Sequence, residues 1–173
     1  MRSPSPPAGK LPLRDLVLLA LLGSLMFASQ VVMASLPNIH IVAVLIIVTA
    51  LYFRWRALYA VFVFALLEGM IYGFGIWWVS YLYTWPVLAA VTVLLGRSES
   101  PLFWAVIAGI FGLCFGALCA LPYLFAGGWA AAVSYWIAGI PFDLIHCASN
   151  FVITLLLFRP LYRVMGQLKG EVL

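Results

Sequence analysis

Gly139-Ile-Pro-Phe-Asp-Leu-Ile-His-Cys-Ala-Ser-Asn150 stands directly before an apolar run over 151–158. It carries Asp143, His146 and Asn150 together into a segment otherwise suited to lipid. Pro141 fits the first position of a helix, where its missing N–H is not needed. At 3.6 residues per turn the three polar residues then fall within roughly 60° of arc, on one face. An ionisable group in hydrocarbon is expensive unless it faces protein, water or a partner, so this face is expected to line a cavity. The cavity is read as a binding site for a solute.

Working outward, the composition fixes the environment. The 173 residues are 66% hydrophobic and 8% charged, whereas about a quarter of a soluble domain is charged. This is the composition of an integral membrane protein, all-α, with room for about six crossings of ~20 residues each and no separate soluble domain. No Gly-x-x-x-x-Gly-Lys-Ser/Thr loop occurs, so the chain itself is not expected to hydrolyse ATP. Cys114, Cys119 and Cys147 all fall in apolar helices. An odd intramembrane set argues against a disulfide framework or a metal cluster, and they read as packing residues. No cofactor is expected. The pI of about 9.2 would raise the question of nucleic acid in a soluble protein, but here the basic residues report topology.

The expected organisation is a disordered tail over 1–12, a six-helix membrane domain over 13–161 and a C-terminal tail over 162–173. Helix 1 covers 13–34; its basic start and apolar run resemble a signal peptide, but no clean Ala-x-Ala site follows. Ala20, Ser24 and Ala28 recur every four residues on it and form a strip that a second backbone can approach, either within this chain or on another subunit. Ser35-Leu-Pro-Asn38 breaks the chain, with Asn38 as the cap of helix 2 over 39–53. Those residues reach only about 22 Å, short of a ~30 Å core, so part of the preceding loop is expected to dip inward. Helix 3 over 57–75 carries Glu68, and helix 4 over 79–95 is expected to bend at Pro86. Ser100-Pro101 starts helix 5 over 102–125, whose Ala108, Gly112, Gly116 and Ala120 form a close-packing seam. A long uncharged outer connection over 126–139 leads to helix 6 over 141–161.

Six spans put both termini on one side. Arg2, Lys10, Arg14, Arg54, Arg56, Arg97, Arg159, Arg163 and Lys169 all fall on that side, which accounts for all 9 Lys and Arg. The positive-inside rule then makes both termini cytoplasmic.

Of the 5 acids, Asp15, Glu99 and Glu171 sit near these basic residues. Glu68 and Asp143 do not, and they converge with Asn38, His40, Tyr72, His146 and Asn150 on the outer half of the bundle. Trp77, Trp78, Trp129 and Trp136 lie at the same level and complete the set of candidate ligand-binding residues. Tyr81, Tyr83, Trp85 and Tyr135 share that level. Each has a purely structural alternative: a helix-dipole role for Asp143, an interfacial belt for the aromatics, a satisfied His40, a Glu68–His146 pair. The one-sidedness of the cluster favours a dead-end pocket, since an ion path needs polar groups across the whole membrane thickness. Aromatic walls with a few polar groups suit an amphipathic, ring-containing ligand. Its charge does not follow from the sequence.

The six-span layout, Ala20/Ser24/Ala28, Leu36-Pro-Asn-Ile-His40, Leu67-Glu-Gly-Met-Ile-Tyr-Gly-Phe-Gly-Ile-Trp-Trp78 and the segment from Gly139 through Asn150 together resemble the substrate-binding S components of energy-coupling factor (ECF) vitamin transporters, in the broad group that includes the folate, pantothenate and cobalamin types. The resemblance covers nearly the whole chain. It implies a subunit of the bacterial plasma membrane that takes a vitamin-like micronutrient from outside. It also implies partners: a transmembrane coupling subunit, contacted through Ala20, Ser24 and Ala28, and two ATPase subunits that use the ATP. In that family the helix 1 strip is usually Ala-x-x-x-Ala, and Ser24 departs from it. Loops 1–2 and 5–6 are implied to gate the pocket, with Gly127-Gly128 as a hinge. The substrate is not implied, since members share a scaffold and differ in pocket chemistry.

Two other readings compete. A non-binding membrane scaffold explains the small-residue seams but not the polar cluster. An intramembrane enzyme is suggested by Phe142-x-x-x-His146 and His146-x-x-x-Asn150, which superficially resemble motifs of the CAAX-type proteases. That family also needs Glu-Glu-x-x-x-Arg, whereas Gly69 follows Glu68.

Overall fold

The computed structural model describes residues 11–96 and 98–170. Among them the chain is all-helical: α1 (Leu13–Val32), α2 (Val42–Phe53), a 3-10 turn (Arg54–Arg56), α3 (Ala57–Tyr72), α4 (Ile76–Leu95) and α5 (Pro101–Lys169). Four helical stretches are long and apolar enough to cross a membrane: α1, α2 with α3, α4, and α5. The sequence expectations for 1–10, Arg97 and Glu171 lie outside the described residues.

α2 is the hub. Every residue from Val42 to Ala50 is buried, as suits a helix apolar on all its faces. Its buried polar side chain, Thr49, turns its hydroxyl back to the Leu45 carbonyl at 2.7 Å. With 12 residues it is only about 18 Å long, shorter still than the sequence suggested. Asn38 does not cap it: the helix begins after Ile41 with no side-chain cap bond, and the Asn38 amide is used elsewhere.

The fifth and sixth expected helices are the two arms of α5. At Gly128 the backbone turns to φ 77°, ψ −174°, a region open essentially to glycine alone, and the chain doubles back. Asn150 donates to the Ala108 carbonyl at 3.3 Å, Gly116 N–H donates to Asp143 Oδ1 at 2.8 Å, and Trp104 stacks on Phe158. The expected outer connection over 126–139 is therefore helical apart from Gly128, because Ala, Trp, Tyr and Ile there satisfy their own backbone as helix. Pro141 sits inside the second arm rather than opening it, and α5 runs on to Lys169, past the expected end at 161. Ser100 does cap the first arm, its Oγ accepting from Phe103 N–H at 3.3 Å. α4 is continuous through Pro86.

Close approach of the two arms depends on the seam. A Cβ on Gly112 would stand 2.7 Å from the His146 carbonyl, and one on Gly116 would overlap the Asp143 carboxylate. α1 packs through another face, Leu19, Leu22, Gly23 and Met26, with a Cβ on Gly23 only 2.5 Å from the Ala60 carbonyl. Ala20, Ser24 and Ala28 are exposed; the strip faces away from the core formed by the described residues.

One end of the bundle is tied by charge. Asp15 meets Lys169 at 3.2 Å and Arg56 at 3.9 Å, Arg14 donates to the Leu168 carbonyl, and Lys169 lies over the Phe53 ring. This basic end gathers the start of α1, the 3-10 turn and the end of α5. The described polar groups without such partners gather toward the opposite end.

Candidate functional site

The loop over 33–41 joins α1 to α2, and most of its residues line one cavity. Asn38 takes a left-handed conformation, φ 59°, and fastens the loop to the second arm of α5 from both sides. Its amide donates to the Phe142 carbonyl at 3.4 Å, and its own carbonyl accepts from Ser149 Oγ at 2.7 Å.

Beneath the loop lies a cavity of about 380 Å³ walled by Gln30, His40, Glu68, Tyr72, Trp77 and Tyr81, among others. A second, of about 350 Å³, reaches Asp143, Cys119 and Tyr135. Asn38 and Phe115 line both, so they form the partition between them. His146 supports that partition: its ring meets His40 at 5.0 Å and Phe115 at 4.8 Å between centroids. Trp85, fully buried, stands behind it against His40, Tyr81 and Phe115.

The site is rich in buried polar atoms without protein partners. Glu68 Oε1, His40 Nδ1, both His146 ring nitrogens, Asp143 Oδ2, Asn150 Oδ1 and Gln30 Oε1 are of this kind among the described residues. Leaving such a group unpaired costs about 1–3 kcal/mol, so a cluster of them marks a place built for something other than the fold itself. The suggested Glu68–His146 pair is not made. Burial pushes the imidazole of His40, in the loop before α2, down to about 4, so it is neutral at physiological pH. Toward the basic end the polar face continues through Asn150 and Thr154 and is closed by the stacked Phe158 and Trp104.

The structure thus brings Asn38, His40, Glu68, Tyr72 and Trp77 to one cavity and Asp143 to its neighbour, with His146 between. Asn150 shares the face of Asp143 and His146 but lies one turn deeper, against Ala108. Three expected residues stand elsewhere. Trp78 lines neither cavity; its indole donates to the Ala65 carbonyl at 2.7 Å and clips α4 to α3. Trp129 and Trp136 lie two helical turns apart on the second arm of α5 and wall an apolar groove with Ala117, Ala120 and Leu124, away from the polar groups. Belonging to the same membrane level was not enough to bring them in. Conversely, Gln30 and Phe115 belong to the site and were not singled out, and Tyr81, placed at its level but not among the candidate ligand-binding residues, lines it too. Gln30 donates to Tyr81 Oη at 3.1 Å, and an amide in the otherwise apolar last turns of α1 was the available signal.

The chain matches no family model, no curated protein and no solved structure.

Proposed function

We propose that the chain is the membrane-embedded substrate-binding subunit of an ECF-type transporter, capturing a vitamin or related micronutrient from the exterior for import driven by partner subunits. The observation that carries this reading is Glu68, a buried carboxylate with an unpaired oxygen at the wall of a chamber lined by the loop between α1 and α2. With the arms of α5 counted separately we read six crossings of a bilayer, and the start of α1 and the end of α5 meet at the basic end through Asp15 and Lys169. The positive-inside rule makes that end cytoplasmic and turns the chamber to the exterior of the cell membrane.

The outward face of α1 supports the rest of the assembly. Ala20, Ser24 and Ala28 leave a shallow strip on which a transmembrane coupling subunit packs, and ATP hydrolysis belongs to two further ATPase subunits. This reading gives the chain a binding role and leaves ATP hydrolysis to its partners.

Mass spectrometry of solvent extracts from detergent-purified protein tests the proposal. A small molecule retained in near-stoichiometric amount by wild type and depleted in Glu68→Gln is the expected result. Wild-type protein that retains nothing, and supports no uptake in cells that also make the coupling and ATPase subunits, rejects it.

A further inference from the structure

The charge distribution around the chamber narrows the ligand class, and this step rests on the solute-binding reading above. Glu68 is 2% exposed and has no hydrogen-bond or ion-pair partner among the described residues. Asp143 differs, because Gly116 N–H already compensates one of its oxygens. Neither cavity is lined by a lysine or an arginine among the described residues, and Arg14, Arg56 and Lys169 are engaged at the far end of the bundle. The chamber therefore offers carboxylate and neutral imidazole acceptors and no cation.

Tyr72, Trp77, Tyr81 and Phe115 add ring faces to the same cavity, and aromatic faces attract a cation, the more so out of water. A carboxylate or phosphate group entering here would meet Glu68 as a like charge in a poorly solvated space. An ammonium, amidinium or charged ring nitrogen would meet a counter-ion and an aromatic wall. We infer that the ligand is an organic cation: a positively charged nitrogen group on a ring-containing body, with Glu68 as its counter-ion and the chamber aromatics around it. About 380 Å³ is within the range of pockets for small organic molecules.

Three probes of one size separate the charge classes: benzamidinium, benzamide and benzoate. They are titrated against the full chain in lipid nanodiscs, with tryptophan fluorescence and thermal shift as readouts. Benzamidinium is expected to bind at least about tenfold more tightly than benzoate, with benzamide between them. Glu68→Gln is expected to erase the preference while benzamide binding remains. Benzoate binding as well as benzamidinium, or a preference that survives Glu68→Gln, overturns the inference. Stabilisation by sodium or zinc chloride equal to that by benzamidinium also overturns it, and assigns Glu68 to an inorganic cation. Should Glu68→Gln fail to fold, the order of the three probes on wild type decides alone. An anionic molecule retained by the purified chain ends the charge assignment and leaves solute binding standing; a wild type that binds no probe and retains no molecule ends both.

Discussion

The imidazoles of His40 and His146 meet edge to face, with centroids 5.0 Å apart and planes at 71°. One comes from the loop that covers the chamber and the other from the second arm of α5, so the contact joins the cover to the wall. Each ring keeps an unpartnered nitrogen. A positive charge on either would face the other ring at close range, in surroundings that solvate it poorly.

Acid should therefore loosen this junction. His40 is held at about 4 from an ordinary 6.5, so between these values the unfolded chain binds a proton that the folded chain does not. Stability is fully present above pH 6.5 and falls as pH drops from there through 4, by up to about 3 kcal/mol from this residue alone. Thermal unfolding of purified wild type and His40→Gln across pH 4–7.5 measures it: the wild-type curve is expected to drop on the acid side and the variant to be flatter.

The seam of α5 should tolerate substitution unevenly. At Gly116 an added methyl overlaps the Asp143 carboxylate, whereas at Gly109 it would stand 3.5 Å from its nearest neighbours, an ordinary contact. Gly116→Ala is expected to cost about 1–3 kcal/mol of stability, the usual penalty of overpacking, and Gly109→Ala to stay near wild type. Fluorescence-detected melting in detergent separates the two.

Gly128 presents strain rather than a clash. Nothing stands within 4 Å of a Cβ there, yet φ 77° with ψ −174° is closed to L residues, asparagine included. Both Gly128→Ala and Gly128→Asn are expected to lower the melting temperature, with a cost of about 1–3 kcal/mol each. Full stability of the asparagine variant would show that the turn between the arms is not held in this conformation.

Enlarging the outward strip of α1 should separate folding from assembly. Ser24 is exposed and its hydroxyl bonds to the Ala20 carbonyl of its own helix. Ser24→Leu is expected to leave the stability of the isolated chain unchanged within about 0.5 kcal/mol, and to reduce capture of the proposed coupling subunit in co-purification. Unimpaired capture would move that interface to another face.

Removing Trp77 and removing Trp129 should have different results, although the sequence alone assigns both indoles to one membrane level. Trp77→Phe is expected to weaken retention of the ligand, whereas Trp129→Phe, altering a groove apart from the polar groups, leaves it as it was. Quantifying the retained molecule in each variant checks this.

The sequence made the polar geometry legible because polar residues in apolar helices have few places to go. Asp143, His146 and Asn150 were expected on one face, and all three are buried along the seam, against Gly116, Gly112 and Ala108 in turn. Glu68 and His40 converge for the same reason. Orientation was much less legible for uniformly apolar helices, which have no stripe to show which side faces in. Phe115, which belongs to the chamber, and Trp129, which does not, look alike by composition. The run over 126–139 was ambiguous in another way: uncharged and rich in Ala and Trp, it suits an outer loop or a helix, and only the backbone at Gly128 marks the reversal. Ala20, Ser24 and Ala28 show the same limit, since spacing identifies a flat strip but not the neighbour it is kept for.

The late start of α2 carries a last consequence. Because the helix begins only at Val42, Ile39 and His40 stay in irregular backbone and line the chamber. Winding one more turn, about 3.6 residues, onto its N-terminus would take His40 into the helix and turn its imidazole away from that wall. The acceptor that His40 offers to a guest is thus set by where one helix begins.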